Sequence, residues 1–132
     1  TNDSPVSLLD LAPTFLDAAG LEKDAGMRGA SMLPVARGAE TSVHEGCQVV
    51  EHFGHTITFA QRMVRNERYK YIFNAVDEDE FYDLEADPYE LENRFGVAYK
   101  DEIRQLQDVL ADWIERTKDR FGRRWFRTST RF

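Results

Sequence analysis

Several strand-like runs crowd together between residues 47 and 84, and the links between the later ones are too short for any sheet but an antiparallel one. Residues 57–65 (Ile57-Thr58-Phe59-Ala60-Gln61-Arg62-Met63-Val64-Arg65) are rich in β-formers, with Ile57, Phe59 and Met63 on one face. Asn66-Glu67-Arg68 turns this run into Tyr69-Lys70-Tyr71-Ile72-Phe73, and an acidic turn over 74–80 leads into Glu80-Phe81-Tyr82-Asp83-Leu84. A parallel crossover needs a dozen or more residues, so neighbours joined this closely form a meander. The short β-branched run at 47–51 supplies a further strand, for about four in all. Asp87-Pro88 then stops the sheet, because Pro88 cannot donate to a ladder and pushes its predecessor away from helix.

Two helical patterns flank these runs. In 7–20, Leu8, Leu11, Phe15 and Ala19 recur at helical spacing, with Ser7 able to cap the start and Gly20 placed to end it. Pro13 inside the pattern predicts a kink, or a short first turn followed by a second. Residues 21–45 are rich in Gly and Ala and read as a connection with one helical turn around 31–36. From about 99 to 120, Ile103, Leu106, Leu110 and Trp113 make an apolar stripe widened by Val109 and Ile114. Acids stand at its start and Arg116, Lys118 and Arg120 at its end, as the helix dipole prefers. The predicted fold is α+β, a small antiparallel sheet with this long helix across one face.

Composition narrows the function classes. A net charge of −7 and pI near 4.9 argue against nucleic acid or an anionic membrane as the main partner. No apolar run approaches the ~20 residues of a membrane span. The lone cysteine, Cys47, leaves no internal disulfide and no Cys-rich zinc site. The opening Thr1-Asn2-Asp3-Ser4-Pro5 reads as a chain entered mid-protein; with any targeting signal lying before it, the compartment stays unknown.

Four segments, taken in order, carry a resemblance. They are Val6-Ser7-Leu8-Leu9-Asp10-Leu11-Ala12-Pro13-Thr14-Phe15-Leu16-Asp17-Ala18-Ala19-Gly20; Gly29-Ala30-Ser31-Met32-Leu33-Pro34 followed by Gly38; Arg62-Met63-Val64-Arg65-Asn66-Glu67-Arg68-Tyr69-Lys70-Tyr71-Ile72; and Glu80-Phe81-Tyr82-Asp83-Leu84-Glu85-Ala86-Asp87-Pro88-Tyr89-Glu90-Leu91-Glu92-Asn93. Together they resemble the C-terminal part of sulfatases, in the alkaline-phosphatase-like superfamily. On that resemblance residues 1–45 are the end of an α/β catalytic domain and its connecting segment, 46–120 the C-terminal subdomain, and 121–132 a basic, aromatic tail. The helix in 7–20 is then left over from the catalytic domain, and without that domain its apolar face needs another cover, such as a second copy in a homodimer.

The resemblance implies a parent that hydrolyses sulfate esters with a formylglycine, made from the Cys or Ser of a Cys/Ser-x-Pro-x-Arg motif, and a calcium-type divalent ion. None of these residues is carried over. Cys47 is followed by Gln48-Val49-Val50, which is not that motif, and the metal-binding carboxylates of the family would precede residue 1. The fragment alone is therefore expected to be inactive, with no catalytic and no metal residue. A phosphonate monoester hydrolase or phosphodiesterase shares the fold and is the alternative enzyme. A non-catalytic oligomerisation module is the alternative of another class.

Ligand-type side chains cluster only at His44, Glu45, Cys47, Glu51, His52 and His55. Two of them, His52 and His55, stand three apart, which in a strand points them to opposite faces unless Gly54 bends the chain. One reading places His52, His55 and Arg62 at the rim of the substrate pocket, where cations suit an anionic ester. The other makes the histidines solvated loop residues and pairs Arg62 with acidic neighbours, and the many structural uses of these groups favour it. The run Asp77-Glu78-Asp79-Glu80 lacks the glycine and spacing of a calcium loop and reads as a solvated turn. Tyr82 and Leu84 are expected to anchor the strand end while the acids face water, with Asn93 bonding nearby backbone. Trp125 and Phe126 in the tail are candidate docking anchors.

Overall fold

A computed structural model describes residues 5–39, 42–44, 46–54 and 60–129. The chain divides into two units at Gln48/Val49.

In the first unit a 3-10 turn at Leu8–Asp10 runs directly into α1, Leu11–Ala18. Ser7 and Asp10 build a reciprocal cap. The Ser7 amide donates to Asp10 Oδ2 at 2.7 Å, and Ser7 Oγ accepts from the Leu9 amide at 3.3 Å. Pro13 falls in the first turn of α1, where its missing N–H has no partner to lose, so the tight turn comes first and the helix follows. Gly20, with φ +69°, terminates the helix as its position in the sequence predicts. A single turn, α2 at Leu33–Ala36, completes the unit. The connection is tied to α1 by Asp10 Oδ1, which accepts from the Ala30 amide at 2.9 Å, and by Thr14 Oγ1, which accepts from the Met32 amide at 2.9 Å. Backbone passes backbone so closely here that a Cβ on Gly29 would lie 2.0 Å from the Leu9 carbonyl oxygen.

The second unit holds a four-stranded antiparallel sheet in the order β1-β2-β3-β4: β1 Gln48–Phe53, β2 Ala60–Arg65, β3 Tyr69–Asn74 and β4 Glu80–Asp83. Register is set by short turns. Asn66 Oδ1 accepts from the amides of Arg68 and Tyr69, which aligns Val64 with Tyr71 and Arg62 with Phe73. Tyr71 in turn lies opposite Phe81. One face of the sheet packs on α3, Lys100–Thr117, and Val64, Tyr71, Phe73 and Phe81 are buried there with Ile103, Leu106, Leu110 and Ile114. The predicted meander and its covering helix are therefore present.

Three details depart from the sequence expectation. On β2 the buried face carries Ala60, Arg62 and Val64, while Met63 lies on the less buried side; Ile57 and Phe59 fall outside the described residues. On β4 the alternation is likewise reversed. Phe81 and Asp83 are buried, and Asp83 accepts a forked contact from Arg68 instead of facing water. An acid can turn inward there because Arg68 and the amides of Glu85 and Ala86 satisfy its oxygens. The third is at the C-terminus. The helix stops at Thr117, Lys118 takes a left-handed φ of 56°, and a second helix, α4, runs over Arg120–Ser129 where the sequence suggested a tail. Phe126 of α4 is buried edge-on against Phe73, with ring centroids 5.3 Å apart, so that anchor docks within this unit.

Candidate functional site

A polar site inside the second unit is built around a charge buried where the strand pattern calls for an apolar residue. Arg62 is fully buried on β2. Its guanidinium forks onto Asp119, Nε to Oδ2 at 2.8 Å and Nη2 to Oδ1 at 3.1 Å, at the break between α3 and α4. Nη1 donates to the Gln61 carbonyl at 2.8 Å and to the His52 carbonyl on β1 at 3.4 Å. The rings of Phe53 and Phe121 flank the group, with centroids 4.5 and 4.9 Å from Cζ. Delocalised charge between aromatic faces is the geometry that suits Arg and not Lys. Burial pushes the Asp119 carboxyl up, but Arg62 and the backbone amides of Gly122 and Phe121 outweigh it and hold the group below its ordinary value.

The site thus joins β1, β2 and the start of α4 through one side chain. Of the three residues expected at a pocket rim, Arg62 meets the backbone of His52, whose side chain is exposed; His55 lies outside the described residues. Asp119 is the member that sequence reasoning missed. Its only signal was an acid standing alone in a basic run, between Lys118 and Arg120.

The other ligand-type residues are dispersed. Glu51 accepts from Trp113 Nε1 at 2.8 Å, tying β1 to α3. In the first unit His44 Nε2 lies 2.8 Å from Asp10 Oδ2. Burial pushes the Cys47 thiol up, which favours the protonated form over a nucleophilic thiolate. Among the described residues no group of three or more His, Cys, Asp or Glu is placed to hold a metal ion, so they do not fit a calcium-type site. In the acidic turn Asp77 and Glu78 are exposed as expected. Asp79 is instead buried, accepting from Tyr71 Oη at 2.6 Å and the Asn74 amide at 2.9 Å. Asn93 bonds backbone as expected, accepting from Phe81 N and donating to the Asp79 carbonyl.

Residues 1–119 match the family described as N-sulphoglucosamine sulphohydrolase, C-terminal. The chain belongs to that family. A curated relative, an N-acetylglucosamine-6-O-sulfatase of Bacteroides thetaiotaomicron, is 31% identical over 90% of this chain and 23% of its own length. Among solved structures, a 2-O GAG sulfatase matches with TM-score 0.77 and 33% identity, covering 85% of this chain and 25% of that one. A protein solved in complex with its substrate D-glucosamine-2-N,6-O-disulfate matches with TM-score 0.73 and 31% identity, covering 83% and 24%. The chain therefore spans about a quarter of the length of these relatives. Its sequence and fold are those of the C-terminal region of sulfatase-family proteins.

Proposed function

We propose that these residues form the C-terminal subdomain of a sulfuric ester hydrolase, completing the fold of a catalytic domain that supplies the chemistry. The family match across residues 1–119 carries this reading. On the same reading the formylglycine nucleophile and the calcium-type ion belong to that catalytic domain.

The part assigned to this chain is positional. Arg62 donates to the His52 carbonyl at 3.4 Å, and the His52 side chain is exposed on β1, one residue before its end. His52, an exposed imidazole, is then a rim residue facing the ester, and Arg62 is a positioning residue behind it; His55, the other histidine read as a rim residue from the sequence, lies outside the described residues. The named substrates of the relatives, sulfated amino sugars among them, make carbohydrate sulfates the first class to assay. The test is turnover by the full-length protein on a panel of carbohydrate and aryl sulfates beside a phosphonate monoester and a phosphodiester. Faster sulfate release supports the sulfatase reading. A preference for the phosphorus esters would transfer the parent to the phosphonate hydrolases, and no turnover of any ester would favour a non-catalytic module.

A further inference from the structure

α4 carries a charge pattern that the sheet and the buried ion pair do not use. The helix begins at Arg120, where the family match ends. Residues 116–132 contain seven Lys or Arg and one Asp, net +6, whereas residues 1–115 contain ten against twenty-three Asp or Glu, net −13. The one acid in the basic stretch, Asp119, is already committed to Arg62.

Helical geometry sorts what remains. At about 100° per residue, Arg120, Arg123 and Arg124 fall within an arc of about 100°, and Arg127 continues the same spacing in the sequence. Phe121, Gly122 and Phe126 take the opposite side. Arg120, Arg123 and Arg124 are exposed, while Gly122 and Phe126 are buried. Arg123 contacts Glu115 at 2.9 Å, but both side chains are more than two-fifths exposed, and an exposed pair of this kind yields to a competing anion. The Arg124 guanidinium lies 5.5 Å from the ring centroid of Trp125, which is 39% exposed and by the same spacing falls on the side of Phe121 and Gly122.

We propose that the arginine face of α4 binds a sulfated polysaccharide, the polymer whose sulfate esters the sulfatase reading above makes the substrate; the choice of polymer rests on that reading. Guanidinium forks pair with tetrahedral oxyanions through two hydrogen bonds. Arg120 and Arg124 are about 6 Å apart along the helix axis, which suits anionic groups repeated along a chain better than one small ion. A lipid surface fits less well. Phe121 and Phe126 of α4 pack on Phe73 at 6.4 and 5.3 Å, so Trp125 is the one large apolar side chain exposed on the described part of the helix, too little to enter a bilayer. Duplex nucleic acid is the wider polyanion and would bring more of its charge against a chain otherwise net negative, whereas a single glycan strand can lie along the helix alone.

The experiment is titration of the full-length protein with heparin at about 0.15 M salt. It compares wild type with a triple variant (Arg120→Gln, Arg123→Gln, Arg124→Gln) and with a control on exposed α3 positions (Lys100→Gln, Arg104→Gln). Turnover of a small soluble sulfate ester is followed in parallel. The triple variant should bind heparin at least tenfold more weakly, with the control within twofold of wild type and small-ester turnover kept. Equal heparin affinity in wild type and triple variant would overturn the inference while leaving the sulfatase reading to its own assay. Lost heparin binding in a protein that turns over no sulfate ester would sustain the surface and remove the sulfatase reading. Tighter wild-type binding to duplex DNA or to phosphatidylserine vesicles than to heparin would overturn the polysaccharide assignment.

Discussion

Arg62 and Asp119 stand 57 positions apart in the sequence and meet through two hydrogen bonds in the interior of the second unit. Because the guanidinium also reaches the backbone of β1 and lies against Phe121 of α4, this pair couples three elements that the hydrophobic core alone would leave loosely related. Removing one partner strands the other charge in a dry site. Asp119→Ala is expected to cost about 3 kcal/mol of stability, read as a lower midpoint in urea unfolding. Arg62→Lys should recover little of an Arg62→Ala loss, since an ammonium cannot fork onto Asp119 and fill the space between two rings. Equal midpoints for wild type and Asp119→Ala would show that the pair is not a stabilising contact.

Opposed carboxyl shifts give a pH signature. Asp10 is pushed up by burial, but the amides of Ala30 and Ser7 and the His44 ring bring it below its ordinary value near 3.8; Asp119 is lowered as well. A group lowered in the folded state stabilises above its unfolded value and loses that contribution as pH falls through its folded value. Asp79 is the reverse case. Burial raises it, Tyr71 only partly offsets this, and its contribution falls as pH rises from the ordinary value through the raised one. Unfolding followed from pH 3 to 7, on the scale of about the carboxylate range, should show a shallower acid-side loss for Asp119→Asn and a steeper one for Asp79→Asn. Parallel curves would remove both assignments.

The loop that crosses the 3-10 turn before α1 admits no side chain at Gly29, where a Cβ would sit 2.0 Å from the Leu9 carbonyl oxygen and 2.8 Å from the Asp10 amide nitrogen. Both neighbours are backbone and cannot swing aside. Gly29→Ala should therefore destabilise by about 1–3 kcal/mol, seen as a lower Tm, and an unchanged Tm would mean that the crossing relaxes freely.

Leu8 is 86% exposed and Phe15 69% exposed beside the half-exposed Leu9. An apolar face of this kind is ordinarily covered, and the proposed parent would cover it with its catalytic domain. Residues 1–132 produced alone should self-associate, and Leu8→Glu with Phe15→Glu should restore a monomer. Sedimentation of the unaltered chain as a monomer at micromolar concentration would contradict this.

The sequence showed the sheet and its helix because each rests on local evidence: short links, β-rich runs and a stripe from Ile103 to Ile114. It misjudged which faces of β2 and β4 turn inward because hydrophobicity alone assigns Arg62 and Asp83 to water. Their partners, Asp119 and Arg68, come from elsewhere in the chain and reverse that preference. The second C-terminal helix was hidden for a similar reason. Gly122 and four arginines read as a tail, yet Phe121 and Phe126 find Phe73 across the unit. The residues proposed for a pocket rim were legible only as residue types, and the structure adds the link from Arg62 to the His52 backbone.

The most direct measurement is the kinetics of the full-length protein on a carbohydrate sulfate, wild type beside His52→Ala. A subdomain that shapes the pocket without entering the chemistry should give sulfate turnover in both, with KM raised several-fold and kcat within about twofold in the variant, the signature of lost ground-state binding. Sulfate turnover with identical KM would place His52 away from the substrate, and no sulfate turnover by the wild-type protein would contradict the sulfatase assignment itself.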